Sequence, residues 1–222
     1  ILCGFQKPFD DEQARTAALQ IFKNNHRTSM RNFVNPWRLF ALNDEGGTLM
    51  CTYPEGCRLP ATPIPYGEEV MSGFEYSLAG ILLHYGCRSE AIQVVDAVRA
   101  RYNGKNRNPY NDTECGSNYV RSMAGFALLP IAAGFVADLP AGSLTFAPKM
   151  EQLPFRCPWF VATGWGEFRF DSQGIAITLK DGQVALETLV LPFAKKITAL
   201  EIDGQEKGVL DCATSCNPFL LQ

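Results

Sequence analysis

From Asp10 to Tyr102 the apolar residues fall at helical spacing in three blocks. Asp10-Asp11-Glu12-Gln13 resembles a capping box, an Asp followed three positions later by Gln, and Ala14, Ala17, Ala18, Ile21 and Phe22 then share one helical face. This predicts a helix ending near Asn24 or Asn25. After Pro65-Tyr66-Gly67 a second helix, opened by Glu68 and Glu69, places Val70, Phe74, Leu78, Ile81 and Leu82 on one side and stops at Gly86. A third, capped by Ser89, carries Ile92, Val95, Val98 and Tyr102 and ends at Asn103-Gly104. Its short connection to the second predicts an antiparallel helical hairpin. A fourth helix is expected from about Ser117 to Phe135. Tyr119, Met123, Phe126 and Leu128 to Ile131 leave it almost no polar face, which predicts burial on every side.

At Pro140-Ala141-Gly142 the period changes from helical to alternating. Leu144 to Phe146, Trp159 to Thr163, Glu167 to Phe170, Ile175 to Leu179, Val184 to Leu191 and Ile197 to Ile202 read as strands. Asp171-Ser172-Gln173-Gly174, Asp181-Gly182 and Asp203-Gly204 join them as turns, and Gly164-Trp165-Gly166 reads as a further turn, so the strands form an antiparallel meander. The residues alone therefore predict an α+β fold, mainly α, with residues 1–140 helical and residues 141–222 built of strands. The stretch from His26 to Pro65 is longer than loops in compact domains usually run, and Phe33, Trp37, Leu39, Phe40, Met50 and Tyr53 argue that it is packed or holds short strands.

Composition narrows the function classes. With 46% hydrophobic and 19% charged residues the 222-residue chain is globular, and a net charge of −3 supplies no basic surface for nucleic acid. The longest apolar run, Phe126 to Val136, contains Pro130 and Gly134 and is too short to span a bilayer, and no basic amphipathic helix supports membrane anchoring. The chain opens on Ile1-Leu2-Cys3-Gly4-Phe5, which reads as the middle of a packed element, so the N-terminus of the whole protein is expected upstream. The eight cysteines form no Cys-x-x-Cys pair and lack a second ligand at metal spacing; free thiols in a reducing, cytoplasmic setting are expected. The spacing leaves Cys51–Cys57 and Cys212–Cys216 bridges open, and with them a secreted or periplasmic location.

Ser-His-Asp catalysis would need His26 or His84, and His84 ends an apolar helix, where the helix dipole already explains a histidine. No phosphate-binding glycine motif occurs. The carboxylates carry more. Glu69 sits at a helix start, and Glu75, one turn into the second helix between Phe74 and Tyr76, either points into a pocket or pairs with an arginine. Asp112 and Glu114 precede the fourth helix, in which Arg121 is the charged residue. A buried arginine needs acceptors, supplied by Asp112, by Glu114 or by the hydroxyls of a bound sugar. Trp37, Trp159 and Trp165 offer stacking faces, though core packing is the ordinary use of tryptophan.

Two of these segments carry a resemblance. Pro65-Tyr66-Gly67-Glu68-Glu69-Val70-Met71-Ser72-Gly73-Phe74-Glu75-Tyr76, followed by Asn108-Pro109-Tyr110-Asn111-Asp112-Thr113-Glu114-Cys115-Gly116 and Tyr119-Val120-Arg121-Ser122-Met123-Ala124, resembles the catalytic region of glycoside hydrolase family 116, which includes the non-lysosomal glucosylceramidase, or bile-acid β-glucosidase. Gly4 to Asn25 and the Gly164-Trp165-Gly166 strands extend the likeness over nearly the whole chain. The resemblance implies the C-terminal portion of an (α/α)6 toroid of helical hairpins, followed by the β meander. It also implies retaining hydrolysis of β-glucosides without metal or other cofactor, the two carboxyl groups about 5 Å apart. Both catalytic carboxylates fall in segments expected upstream of Ile1, in a missing N-terminal portion of the same protein, so this chain alone is expected to be inactive. What it would contribute is the wall holding the sugar: Arg121, with Asp112 or Glu114 as the acidic partner, and Glu69 and Glu75 nearby. Two other readings are a non-catalytic carbohydrate-binding or scaffold piece and a toroid enzyme of the polysaccharide-lyase kind, for which Tyr119 beside Arg121 supplies a base near an arginine.

Overall fold

The computed structural model describes residues 9–33, 40–53, 55–62, 64–111 and 119–194, together with the backbone of 201–202, 205–206 and 219–221. They belong to two compact units, Lys7–Leu128 and a strand-rich unit from Leu129 onward. The expected Ser117 start of the fourth helix, Trp37, Asp112, Glu114, residues 197–200 of the last expected strand, and Cys3, Cys115, Cys212 and Cys216 lie outside the described residues.

In the first unit, helix α1 (Asp11–Asn25) begins where its cap places it: Asp10 accepts hydrogen bonds from the amides of Glu12 and Gln13 at 3.0 and 3.2 Å. The chain leaves it as a two-residue strand β1 (His26–Arg27), which pairs antiparallel with β2 (Gly47–Thr48). Beside this pair Met30, Phe40, Leu49 and Val70 pack into a small core. Glu68 and Glu69 precede α2 (Ser72–His84) rather than opening it. Helix α3 (Arg88–Arg101) returns antiparallel after a short turn, as the hairpin pattern predicts, although Cys87 and not Ser89 stands at its N-cap. Its buried face is Ala91, Val94, Val98 and Arg101, one position round from the expected stripe, and Ile92 points outward. A charged residue on the inner face displaces the apolar stripe.

The fourth helix is not the continuous buried element expected. Arg121–Ala127 forms a tight 3-10 turn and α4 (Leu128–Ala133) adds six residues. Gly125, Pro130 and Gly134 interrupt the run, since proline removes an amide donor and glycine costs helix entropy. Its apolar side chains are not buried on every side: Phe126 is 70% exposed and Met123 59%, while Ile131 and Ala133 are buried. The 3-10 turn lies close on α2 because Gly73 has no side chain; a Cβ there would stand 3.0 Å from the Arg121 carbonyl oxygen and 3.1 Å from its Cβ.

These elements correct the implied toroid. Among the described residues one helical hairpin, α2 and α3, is followed by a broken helix and then by strands, a mixed α+β arrangement and not an (α/α)6 ring. The strand-rich unit contains β3 (Val136–Asp138), β4 (Ser143–Thr145), β5 (Phe155–Val161), β6 (Gly164–Asp171), β7 (Gly174–Gly182), β8 (Val184–Leu186) and β9 (Thr188–Val190). The short strands β10 (Glu201–Ile202), β11 (Gln205–Glu206) and β12 (Phe219–Leu221) complete it. Strands β5, β6 and β7 form an antiparallel meander, β4 pairs antiparallel with β3 and parallel with β9, and β12 pairs with β8. Alternation along β5 turns Phe155, Cys157 and Trp159 into a core shared with Leu144, Phe146, Phe168, Val184 and Leu186. The Phe146 and Phe168 rings stack with centroids 4.5 Å apart. Gly164-Trp165-Gly166 is strand rather than turn; the reversal falls just before it, at Ala162-Thr163. Among the described residues no helix is long and apolar enough to cross a membrane.

Candidate functional site

Glu75 is where α2 and α3 meet chemically. Its carboxylate pairs with both terminal nitrogens of Arg101, and each side chain is only 1% exposed. Thr48 donates its backbone N–H to Glu75 Oε1 at 2.9 Å, and Arg101 Nη1 donates to the Gly46 carbonyl at 2.6 Å. Of the two roles open to Glu75, pairing with an arginine is the one seen. The pair ties α2, α3 and β2 together, and its acceptors are spent on protein donors. Arg101 Nε, also buried, has no hydrogen-bond partner among the described residues, so the bonding of the buried guanidinium is incomplete. Glu69, also buried, joins the same region through its backbone, its carbonyl accepting from Met50 N–H at 3.0 Å.

His26 lies against this cluster. Its ring stacks on Phe22 with centroids 4.9 Å apart, and Nδ1 is 2.9 Å from Thr48 Oγ1. Burial, and then the charges of Arg101 and Arg27, hold its pKa below the ordinary 6.5. The unfolded chain therefore takes up a proton near 6.5 that the folded chain resists, so stability is full above that value and falls as pH drops through the window below it. The urea midpoint should decline as pH falls below 6.5, and His26→Gln should flatten that decline; equal slopes in the two proteins would remove His26 from the account. His84, at the end of α2, packs edge-on against Tyr85.

Arg121 opens the 3-10 turn. Its guanidinium carbon is 4.3 Å from the centroid of the Tyr119 ring and 5.9 Å from that of Phe74, a cation held over one aromatic face and beside another. Phe74, Tyr119, Val120, Met123 and Phe126 are all exposed around it. Ser122, the next residue, borders a partly open cavity of about 570 Å³ in the first unit, between α2, the end of α3 and the 103–111 segment. From α2 come Ser72 and Tyr76; from α3 and its end come Val98, Arg99, Tyr102 and Asn103; Pro109 and Asn111 close it. The volume is that of an ordinary small-molecule pocket. The side-chain oxygen of Asn111 is buried with no hydrogen-bond partner among the described residues, a cost that a ligand donor would relieve.

Of the five candidate residues, Arg121 does not line the cavity and only precedes the lining residue Ser122, Glu69 and Glu75 are buried and do not line it, and Asp112 and Glu114 lie outside the described residues. No carboxylate appears among the described lining residues. Reading the sequence missed Ser72, Tyr76, Arg99, Tyr102 and Asn103 as a group; Tyr102 had a signal only as an apolar stripe residue. Cys51 and Cys57 are separate, exposed thiols, whereas Cys87 and Cys157 are buried. Burial lifts the Cys157 thiol to about 11, which makes it inert. Among the described residues no three His, Cys, Asp or Glu side chains converge as a metal site would require. A scan of protein-family models finds none that matches the chain, and no curated protein sequence matches it.

Proposed function

We propose that this chain supplies the sugar-binding wall of a β-glycoside hydrolase, with Arg121 and the adjoining cavity as the site. The observation that carries the reading is the cavity itself. It is of small-molecule size, walled by Tyr76 and Tyr102, furnished with hydroxyl and carboxamide groups from Ser72, Ser122 and Asn111, and bordered by the turn that bears an aromatic-flanked Arg121. Sugars are bound by this mixture: flat aromatic faces take the C–H surfaces of the ring, and neutral polar groups with an arginine take its hydroxyls. The resemblance of the Asn108–Ala124 segment to glycoside hydrolase family 116 supports the same substrate class. A retaining mechanism needs two carboxylates, and no described residue is given either role: Glu75 is committed to Arg101 and Thr48, and the described lining is free of acids.

Calorimetric titration with methyl β-glucoside and methyl α-glucoside tests the reading. The β-anomer should bind preferentially, and Arg121→Ala should weaken it about tenfold, the effect of losing hydrogen bonds from a charged donor, at an unchanged melting temperature. Equal affinity in Arg121→Ala, or a variant that merely melts earlier, would assign Arg121 to packing.

A further inference from the structure

We infer that the cavity selects a sugar bearing a carboxylate, a uronic-acid glycoside, with Arg99 pairing the acid and Asn111 Oδ1 accepting a hydrogen bond from a ring hydroxyl. This deepens the carbohydrate reading above and rests on it. Arg99 is the one charged side chain among the described residues that line the cavity. The neighbouring cations are already spent: Arg101 on Glu75 and the Gly46 carbonyl, Arg107 on both oxygens of Glu45. Arg99 has no hydrogen bond or ion pair with any described residue. The described lining places no carboxylate beside it.

The polar groups divide in the same way. Asn103 is occupied by its own turn, its oxygen accepting from the amides of Lys105 and Asn106 and its nitrogen donating to the Ala100 carbonyl. Asn111 Oδ1 is buried and unmatched among the described residues. The cavity therefore presents one unspent planar cation and one unspent acceptor, with tyrosine walls. A ring with hydroxyl donors and a single carboxylate satisfies both, the guanidinium taking the acid through two parallel bonds. A neutral sugar would satisfy Asn111 and leave Arg99 to solvent.

Methyl β-D-glucuronide and methyl β-D-glucoside differ only at C6 and are the probes, titrated by calorimetry into the 222-residue chain and into Arg99→Gln. The glucuronide should bind at least about tenfold more tightly, the difference should shrink with added salt, and Arg99→Gln should abolish the difference between the two glycosides. Arg99 is exposed on α3, so the variant should keep the parent melting temperature. Equal binding of the two glycosides overturns the acid selectivity and leaves the carbohydrate reading standing. A glucuronide preference that survives Arg99→Gln overturns the role of Arg99. Binding of neither sinks both.

Discussion

Replacing Arg101 by methionine should lower the unfolding free energy by about 3–5 kcal/mol, more than any other single change in the helical unit. Methionine fills much of the same volume but leaves the Glu75 carboxylate, 1% exposed, without its counter-charge. The Gly46 carbonyl loses a donor at the same time. Glu75→Gln should cost nearly as much, because the amide oxygen can replace Oε1 toward Thr48 and Arg101 Nη1 but the amide NH2 would face Arg101 Nη2 where Oε2 accepts, and the guanidinium charge is left unpaired. The Glu75→Leu/Arg101→Met double variant should be less damaged than the sum of its parts, since no lone charge remains. It should nevertheless stay below the parent, because the Thr48 amide and the Gly46 carbonyl are orphaned, at about 1–3 kcal/mol each. Urea denaturation of the parent, Arg101→Met, Glu75→Leu and the double variant measures the cycle; single variants within about 1 kcal/mol of the parent would mean that the pair is not buried as described.

The corresponding prediction in the strand-rich unit concerns Gly166. It stands opposite Trp159 on β5 and beside a register shift against β7. A Cβ at this position would lie 1.8 Å from the Thr178 carbonyl oxygen and 2.8 Å from Trp159 Cζ2, so β6 could not remain between its two neighbours. Gly166→Ala should destabilise by about 4 kcal/mol or more, the range reached when backbone itself is obstructed, and should abolish the near-ultraviolet dichroism of the buried Trp159. Gly125→Ala is the contrast. Its Cβ would meet the Tyr76 ring at 3.5 Å, ordinary contact, and the change should be tolerated. If Gly166→Ala melts like the parent, Gly164-Trp165-Gly166 is a turn after all.

That glycine also shows what can be read from residues in order and what cannot. The Asp10 cap, the α2–α3 hairpin and the β6–β7 hairpin turned at Asp171–Gly174 are legible because each is dictated by groups within a few positions of one another, whereas Asp181-Gly182, expected as a turn, is the end of β7 and pairs with Gly164 and Trp165. Gly164-Trp165-Gly166 reads as a turn yet is strand, because its glycines answer to the Thr178 backbone and the Trp159 ring, contacts that the local sequence does not contain. Nothing near Arg101 in the sequence turns it inward; the placement of Glu75 on α2 does so, and Ala91, Val94 and Arg101 join the expected Val98 on the buried face of α3. The run after Asn118 has the apolarity of a buried helix, yet apolarity specifies no partner, and Gly125 and Pro130 break the geometry a long helix needs. The toroid expectation fails at the same place: a single hairpin followed by strands does not build a ring. The site is half legible. Arg121 stands out as a charge in an apolar setting. The cavity does not, since Tyr76, Tyr102 and Asn111 come together through the packing of α2 against α3 and carry no signature apart from it.

Occupation of this cavity by a carbohydrate is open to a direct test, amide-resolved NMR during titration with methyl β-glucoside. Saturable shifts should be confined to Ser72, Tyr76, Tyr102, Asn111 and the Arg121–Ser122 turn, with the amides of the β5–β7 meander unmoved. No shifts at saturating sugar, or shifts centred on any other surface, would contradict a carbohydrate site at this position.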